Sequence, residues 1–238
     1  NGYDSGLGNR VRVVLGAQSL AELEGRSFAY VWPTGKLFGP RFSDLWDFTG
    51  GRKVSRATSR LLARRYPYVD HTLTWLDDAK RAERVWQVRT GSEIRLPPGA
   101  RSWREEFRSL TPVAEIAERV HAIFDAHLAD GPYVGVMVRA HSVSHSVTRE
   151  ASPVDWYLDR LRQIRHDHPD LRFFVSCDVP EVQERIVREI PGCFGQSDKG
   201  AYNSTQAVRA SVVDLYLLAS AGHSSGPTSP ASCTSRST

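Results

Sequence analysis

The sequence predicts an α/β protein made of two lobes with parallel sheets. Three observations predict it. In the second half, apolar strand-like runs alternate with stretches whose apolar residues recur at the helical period. The 238 residues are enough for one large core or two small ones. A helical pattern ending at Asp130-Gly131-Pro132 divides that regular half from a first half with long irregular connections. The lobes are therefore placed at 1–130 and 131–238, with the boundary near Leu128–Pro132.

In the first half, Gly6-Leu7-Gly8-Asn9-Arg10 reads as a turn. Val11, Val14, Leu15, Leu20 and Leu23 follow near the helical period. Ser27–Trp32 is a short strand stopped by Pro33-Thr34-Gly35, and Ser43–Phe48 reads as a helical turn. Arg52–Arg65 is basic, a helix with a solvated face. Thr72–Trp75 and Val85–Val88 are short strands, and Leu96-Pro97-Pro98-Gly99 is a loop. Thr111 caps the next helix and Pro112 takes its first position. Its apolar face carries Ile116, Val120, Ile123, Phe124 and His127.

In the second half, Tyr133–Arg139 is a strand with valines alternating at 134, 136 and 138. Ser152-Pro153 opens a helix bearing Tyr157, Leu158, Leu161 and Ile164. Leu171–Ser176 is a second, buried strand. Asp178 and Pro180 open a helix with Val182, Ile186, Val187 and Ile190 on one face. Gln206–Ala219 is a helix with Val208, Val212, Leu215 and Leu218 inward. The tail His223–Thr238, rich in Ser, Thr, Pro and Gly, reads as loop.

Composition narrows the function classes. Thirty-one Lys and Arg against 27 Asp and Glu give a net charge of +4 and a pI of about 9.1. The basic residues are scattered rather than gathered on one element, which disfavours nucleic acid and suits a phosphate-bearing small ligand. Three cysteines are too few for a disulfide framework, so a reducing cytoplasm is expected. No apolar run reaches the roughly 18–20 residues of a membrane span, and no secretory signal is visible. The chain opens at Asn1-Gly2-Tyr3, just before a glycine turn that a strand would normally feed. Residues upstream are therefore expected, and a signal or anchor among them stays open.

Five features carry candidate chemistry. Glycines at 6 and 8 let a backbone approach a ligand, and a helix start behind them offers N–H groups to an anion; an ordinary glycine turn with Asn9 as cap is the alternative. The segment is no dinucleotide fingerprint, because Val11 stands where the third glycine belongs. Arg139 ends an apolar strand before the polar loop 140–148, which puts a guanidinium at the carboxyl edge of a sheet. Its planar fork suits a pyrophosphate and the charge of a departing nucleoside diphosphate; a surface ion pair is the alternative. His141 and His145 are four apart, but they follow a strand and have no acidic residue between them, so no metal is expected. Asp178 either orients a ligand or caps the next helix. Asp214 lies among Val212, Val213, Leu215, Leu217 and Leu218, where a carboxylate needs donors. Those donors are an arginine, backbone N–H groups or the edge of a guanine.

These segments resemble, in chain order, a fucosyltransferase superfamily that includes α1,6-fucosyltransferases, nodulation fucosyltransferases and protein O-fucosyltransferases. Gly6–Arg10 is similar to its Gly-x-Gly-Asn-[Arg/Gln] loop. Val134–Arg139 is similar to its Val-His-x-Arg strand, Phe173–Pro180 to its strand ending in Asp-x-Pro, and Val213–Leu218 to its [Val/Leu]-Asp-[Leu/Ile]-x-x-Leu helix. The resemblance implies a GT-B-like architecture, two Rossmann-like lobes around a central cleft. It implies inverting, metal-independent transfer from GDP-fucose, with no other cofactor, to an acceptor hydroxyl whose identity the sequence leaves open. Arg139 would then be catalytic, holding the pyrophosphate and assisting departure of GDP. Gly8, Asn9, Arg10, Asp214, Ser229 and His141 would contact the donor: Asp214 reads guanine, Ser229 lies near the phosphates, and Asn9 lines the cleft. His141, His145 and Glu150 are candidates for the general base. Met137 stands where the family has histidine, and Ala140 where the α1,6 enzymes have a second arginine. Those departures keep two alternatives open: another nucleotide-sugar or group donor on the same scaffold, or an inactive binding module.

Overall fold

In the computed structural model, residues 6–35, 38–76, 78–141, 150, 152–201 and 204–225 are described. Contacts divide the chain into two units, Asn1–Val113 with Ala201–Arg209, and Ala114–Gly200 with Ala210–Thr238.

The first unit is built on helix α1 (Leu7–Leu23), which buries Val11, Val14, Leu15 and Leu20 and leaves Leu23 exposed. Its strands are only two residues long: β1 (Ala29–Tyr30), β2 (Trp46–Asp47), β3 (Arg52–Lys53), β4 (Tyr68–Val69), β5 (Gln87–Val88) and β6 (Thr111–Pro112). β1 pairs with β3 and β4 with β5 in parallel, whereas β2 and β6 are antiparallel. So short a ladder supplies little stability. An aromatic cluster does the packing: Trp32 lies 4.8 Å from Phe42, and Phe42 5.3 Å from Trp46, with all three rings buried. Helix α2 (Arg56–Leu62) buries nothing, as a solvated face should; Ser55 caps it by accepting the Thr58 amide. The short helices α3 (Asp78–Arg81) and α4 (Trp103–Arg108) follow, α4 opening with a Ser102/Glu105 capping box.

Two expectations for this unit fail for local reasons, and a third holds only in part. Thr72–Trp75 is a turn rather than a strand: the Asp70 carboxylate accepts the Thr72 amide at 2.7 Å, the Asp70 carbonyl accepts Trp75 Nε1, and Leu73 takes φ 60°. Thr111 and Pro112 do not open a helix. They pair with Asp47 and Trp46 as β6, and the Val113 amide bonds the Leu45 carbonyl. Ser43–Phe48 starts in the expected helical turn, a 3-10 turn over Phe42–Asp44, but then runs into β2.

The second unit is an α/β layer structure. It contains α5 (Ala114–His127), β7 (Tyr133–Val138), α6 (Val154–Asp167), β8 (Arg172–Cys177), α7 (Pro180–Glu189), β9 (Cys193–Phe194), most of α8 (Thr205–Ala219) and β10 (His223–Ser225). The strands are all parallel, in the order β10-β7-β8-β9. Val134, Val136 and Val138 point to one face and pack against Tyr157, Leu158 and Leu161 of α6 and Ile186 and Ile190 beyond. The other face meets α8. A Cβ at Gly135 would stand 3.0 Å from Leu218 Cδ2 and 3.2 Å from Ala221 Cβ, so glycine is what lets that helix close on the sheet.

Here too the sequence expectation shifts at the edges. α5 groups with the second unit, because His127 stacks on Phe194 at 3.8 Å and Arg172 donates to the His127 carbonyl and to Asp130. On α8, Val208 and Val212 are buried, but Leu215 is exposed and Val213 and Leu217 are buried instead. His223–Ser225 is a strand, not loop: it adds to β7 in parallel through backbone bonds that composition does not reveal.

Candidate active site

In a parallel sheet every strand points its carboxyl end to the same edge, where ligands of α/β proteins bind. β7 ends at Val138 and β8 at Cys177, and these two residues are partners in register. Arg139 and Asp178 therefore leave the sheet side by side. Arg139 is the first residue beyond its strand, not the last within it, and is half-buried. Among the described residues no carboxylate pairs with its guanidinium.

Asp178 is not the cap of the next helix. Val179 takes that place, with no side-chain cap bond. Asp178 Oδ1 instead accepts the amides of Ala140 at 2.7 Å and His141 at 3.3 Å. It thus holds the backbone that follows Arg139. His141 is half-buried and Glu150 exposed; His145 and the rest of 142–149 lie outside the described residues, as does Ser229.

Asp214, 4% exposed, has its donors within the protein. Oδ2 receives the Ser176 hydroxyl and the Lys199 ammonium, each at 2.7 Å, and Oδ1 receives the Gln196 amide at 2.5 Å. Lys199 also donates to Gln183 Oε1 at 2.7 Å and to the Cys177 carbonyl at 3.4 Å. Sequence reasoning required a partner for Asp214 but missed Lys199, which comes from the loop before α8. Burial pushes the Cys177 thiol up to about 11 and the Cys193 thiol up to about 12, so both are poor nucleophiles near neutrality.

On the first unit, α1 begins at Leu7 with Gly6 as its N-cap. Gly8, Asn9 and Arg10 are thus inside the first turn, and Asn9 is not the cap; its side-chain oxygen accepts from Arg12. The Arg10 amide bonds the Gly6 carbonyl at 3.2 Å, while the amides of Leu7, Gly8 and Asn9 head the helix. The Arg10 side chain turns inward. It is fully buried, lies 4.1 Å over the Phe38 ring and donates to the Pro33 carbonyl at 2.5 Å. Burial lowers its pKa from the ordinary arginine value.

Among the described residues no three His, Cys, Asp or Glu gather as a metal-binding group, and no helix is long and apolar enough to cross a membrane.

A scan against models of known protein families finds no match, and neither does a search of curated proteins. Solved structures do match. NodZ α1,6-fucosyltransferase soaked with GDP-fucose superposes with a TM-score of 0.62 at 18% identity, over 94% of this chain and 86% of that one. The same enzyme co-crystallized with GDP gives the same score and coverage. Fucosyltransferase NodZ from Bradyrhizobium gives 0.61 at 16% identity, over 92% of this chain and 84% of that one. The chain shares the NodZ fold. The α/β class read from the sequence and the GT-B type implied by the resemblance both stand. The first unit contributes two-residue ladders in place of an extended sheet.

Proposed function

We propose that this chain is an inverting, metal-independent glycosyltransferase that moves fucose from GDP-fucose to an acceptor hydroxyl. The observation that carries the reading is Arg139, a half-buried arginine at the carboxyl edge of a parallel sheet in a chain with the NodZ fold. NodZ crystals have been soaked with GDP-fucose, and NodZ has been co-crystallized with GDP.

The acceptor oxygen attacks the anomeric carbon on the face opposite the leaving group. The bond from that carbon to the diphosphate oxygen breaks, its electron pair departs with GDP, and the configuration inverts. The acceptor proton goes to a base, for which His141, His145 and Glu150 remain the candidates. The Arg139 guanidinium spans two diphosphate oxygens and stabilises the charge that grows on them. On the first unit, the amides around Gly8 and Asn9 offer the same kind of donor to an anion. Arg10 supports that turn from within the core, its guanidinium held over the Phe38 ring and against the Pro33 carbonyl. Ser229 is assigned to the phosphates by the resemblance alone. For Asp214 to read guanine, the base must reach a buried carboxylate that already accepts from Ser176, Lys199 and Gln196. A cytoplasmic location is in keeping with the free thiols of Cys177 and Cys193 among the described residues.

The three internal donors on Asp214 favour a second reading, a donor with another nucleobase. Calorimetry with GDP, UDP, dTDP and ADP separates the two: GDP is expected to bind most tightly, and preference for any other nucleotide overturns fucosyl transfer. Arg139→Ala is expected to lower transfer about 100- to 1,000-fold with the fold retained. Near wild-type transfer by that variant overturns the role of Arg139.

A further inference from the structure

We propose that Asp178 is a positioning residue that sets Arg139 for the donor diphosphate. The inference rests on the reading of Arg139 above. On its amino side, Arg139 follows Val138, which is fixed in the ladder opposite Cys177. On its carboxyl side, one carboxylate oxygen of Asp178 takes the amides of both Ala140 and His141. Ala140 is itself buried. The backbone of Arg139 is thus bracketed by two anchors, and both belong to the end of β8. A carboxylate accepting backbone N–H groups makes charge-assisted bonds, stronger than neutral ones. An arginine has many rotamers, and a fixed Cα removes much of the search for the one that meets a ligand. Asp178 has no need to touch the donor to do this. Its own helix is capped by Val179, so the carboxylate is not accounted for by capping.

The test compares Asp178→Ala and Asp178→Asn in the full chain, with GDP as the probe. Asn keeps an acceptor oxygen in the same place and is expected to bind GDP within about threefold of wild type. Ala is expected to weaken GDP about 10- to 100-fold, by analogy with the loss of a residue that orients a metal ligand. The decisive readout is a double-mutant cycle. If Asp178 acts through Arg139, Arg139→Ala/Asp178→Ala binds GDP no more weakly than Arg139→Ala alone. Additive losses overturn the proposal. Hydrogen exchange at the Ala140 and His141 amides reports on the anchor without any ligand. Exchange is expected to speed up in Asp178→Ala, and unchanged protection overturns the proposal. If wild type binds no GDP, the fucosyltransferase reading fails and exchange alone judges the anchor. If Asp178→Ala does not fold, Asp178→Ser, too short to reach both amides, takes its place in every arm.

Discussion

Ser176, one residue before the end of β8, donates its hydroxyl hydrogen across 2.7 Å to Asp214 in the middle of α8. The same carboxylate oxygen faces Lys199, whose three N–H donors meet Asp214, Gln183 and the Cys177 carbonyl. A carboxylate withdrawn from water is stable only with such compensation. The ion pair ties the loop before α8 to that helix, and the bonds to Ser176 and the Cys177 carbonyl tie both to the sheet edge.

Lys199→Met should cost about 3 kcal/mol of unfolding free energy, because it strands a buried charge. Urea denaturation measures this. The Lys199→Met/Asp214→Leu double variant should lose less than the two single changes added together. A loss below about 0.5 kcal/mol for Lys199→Met would show that the pair behaves as a solvated one.

Arg10→Met keeps an apolar stem against Phe38 but removes the cation and the bond to the Pro33 carbonyl. It should lower stability by about 1–3 kcal/mol and leave the affinity for GDP within about twofold. Weaker GDP binding at unchanged stability would return the Arg10 guanidinium to the donor site.

Gly135→Val drives a side chain into Leu218 and Ala221, which already stand 3.0 and 3.2 Å from the position of a Cβ. The variant should unfold with a loss of about 1–3 kcal/mol, the scale of overpacking. Unchanged melting would mean that α8 is free to move off the sheet.

Cys177 and Cys193 hold their protons more tightly folded than unfolded, so their contribution is complete below pH 9, the ordinary thiol value. As pH rises from about 9 toward 11 and 12, the unfolded chain releases protons that the folded chain keeps, and stability falls. Tyr30, Tyr133 and Tyr157 are shifted upward by burial too and add in the same direction. Denaturation at pH 8 and pH 10.5 checks the slope; a rise in stability over that range contradicts it. In a Cys233→Ser background, a thiol reagent at pH 8 should label neither cysteine until the protein is unfolded.

The second unit was largely legible in the sequence because its elements are long enough to show a period. The valines of β7 alternate, and Pro180 begins α7 as the pattern predicts. Arg139 was legible for the same reason: strand periodicity places it at an edge that has a known use. The first unit was legible in helices α1 and α2 but much less so elsewhere, since a two-residue strand has no period and a side chain such as Asp70 decides the local path. Asp214 was visible as an anomaly, but Lys199 could not be named as its partner, because a loop brings it there from 15 residues away. Arg10 shows the converse. Its place in a ligand-like loop gave no sign that its side chain turns into an aromatic core.

The sheet order gives β10 a consequence in time. β7 is flanked by β8 on one side and by β10 on the other, and β10 follows it only after α6, β8, α7, β9 and α8. During synthesis, at roughly 5–20 residues per second, one edge of β7 waits on the order of ten seconds for its neighbour. Throughout that interval a valine-rich strand offers unpaired N–H and C=O groups to any extended chain nearby. The nascent protein therefore has a vulnerable period that ends when residues 223–225 emerge, and chaperone demand should concentrate there.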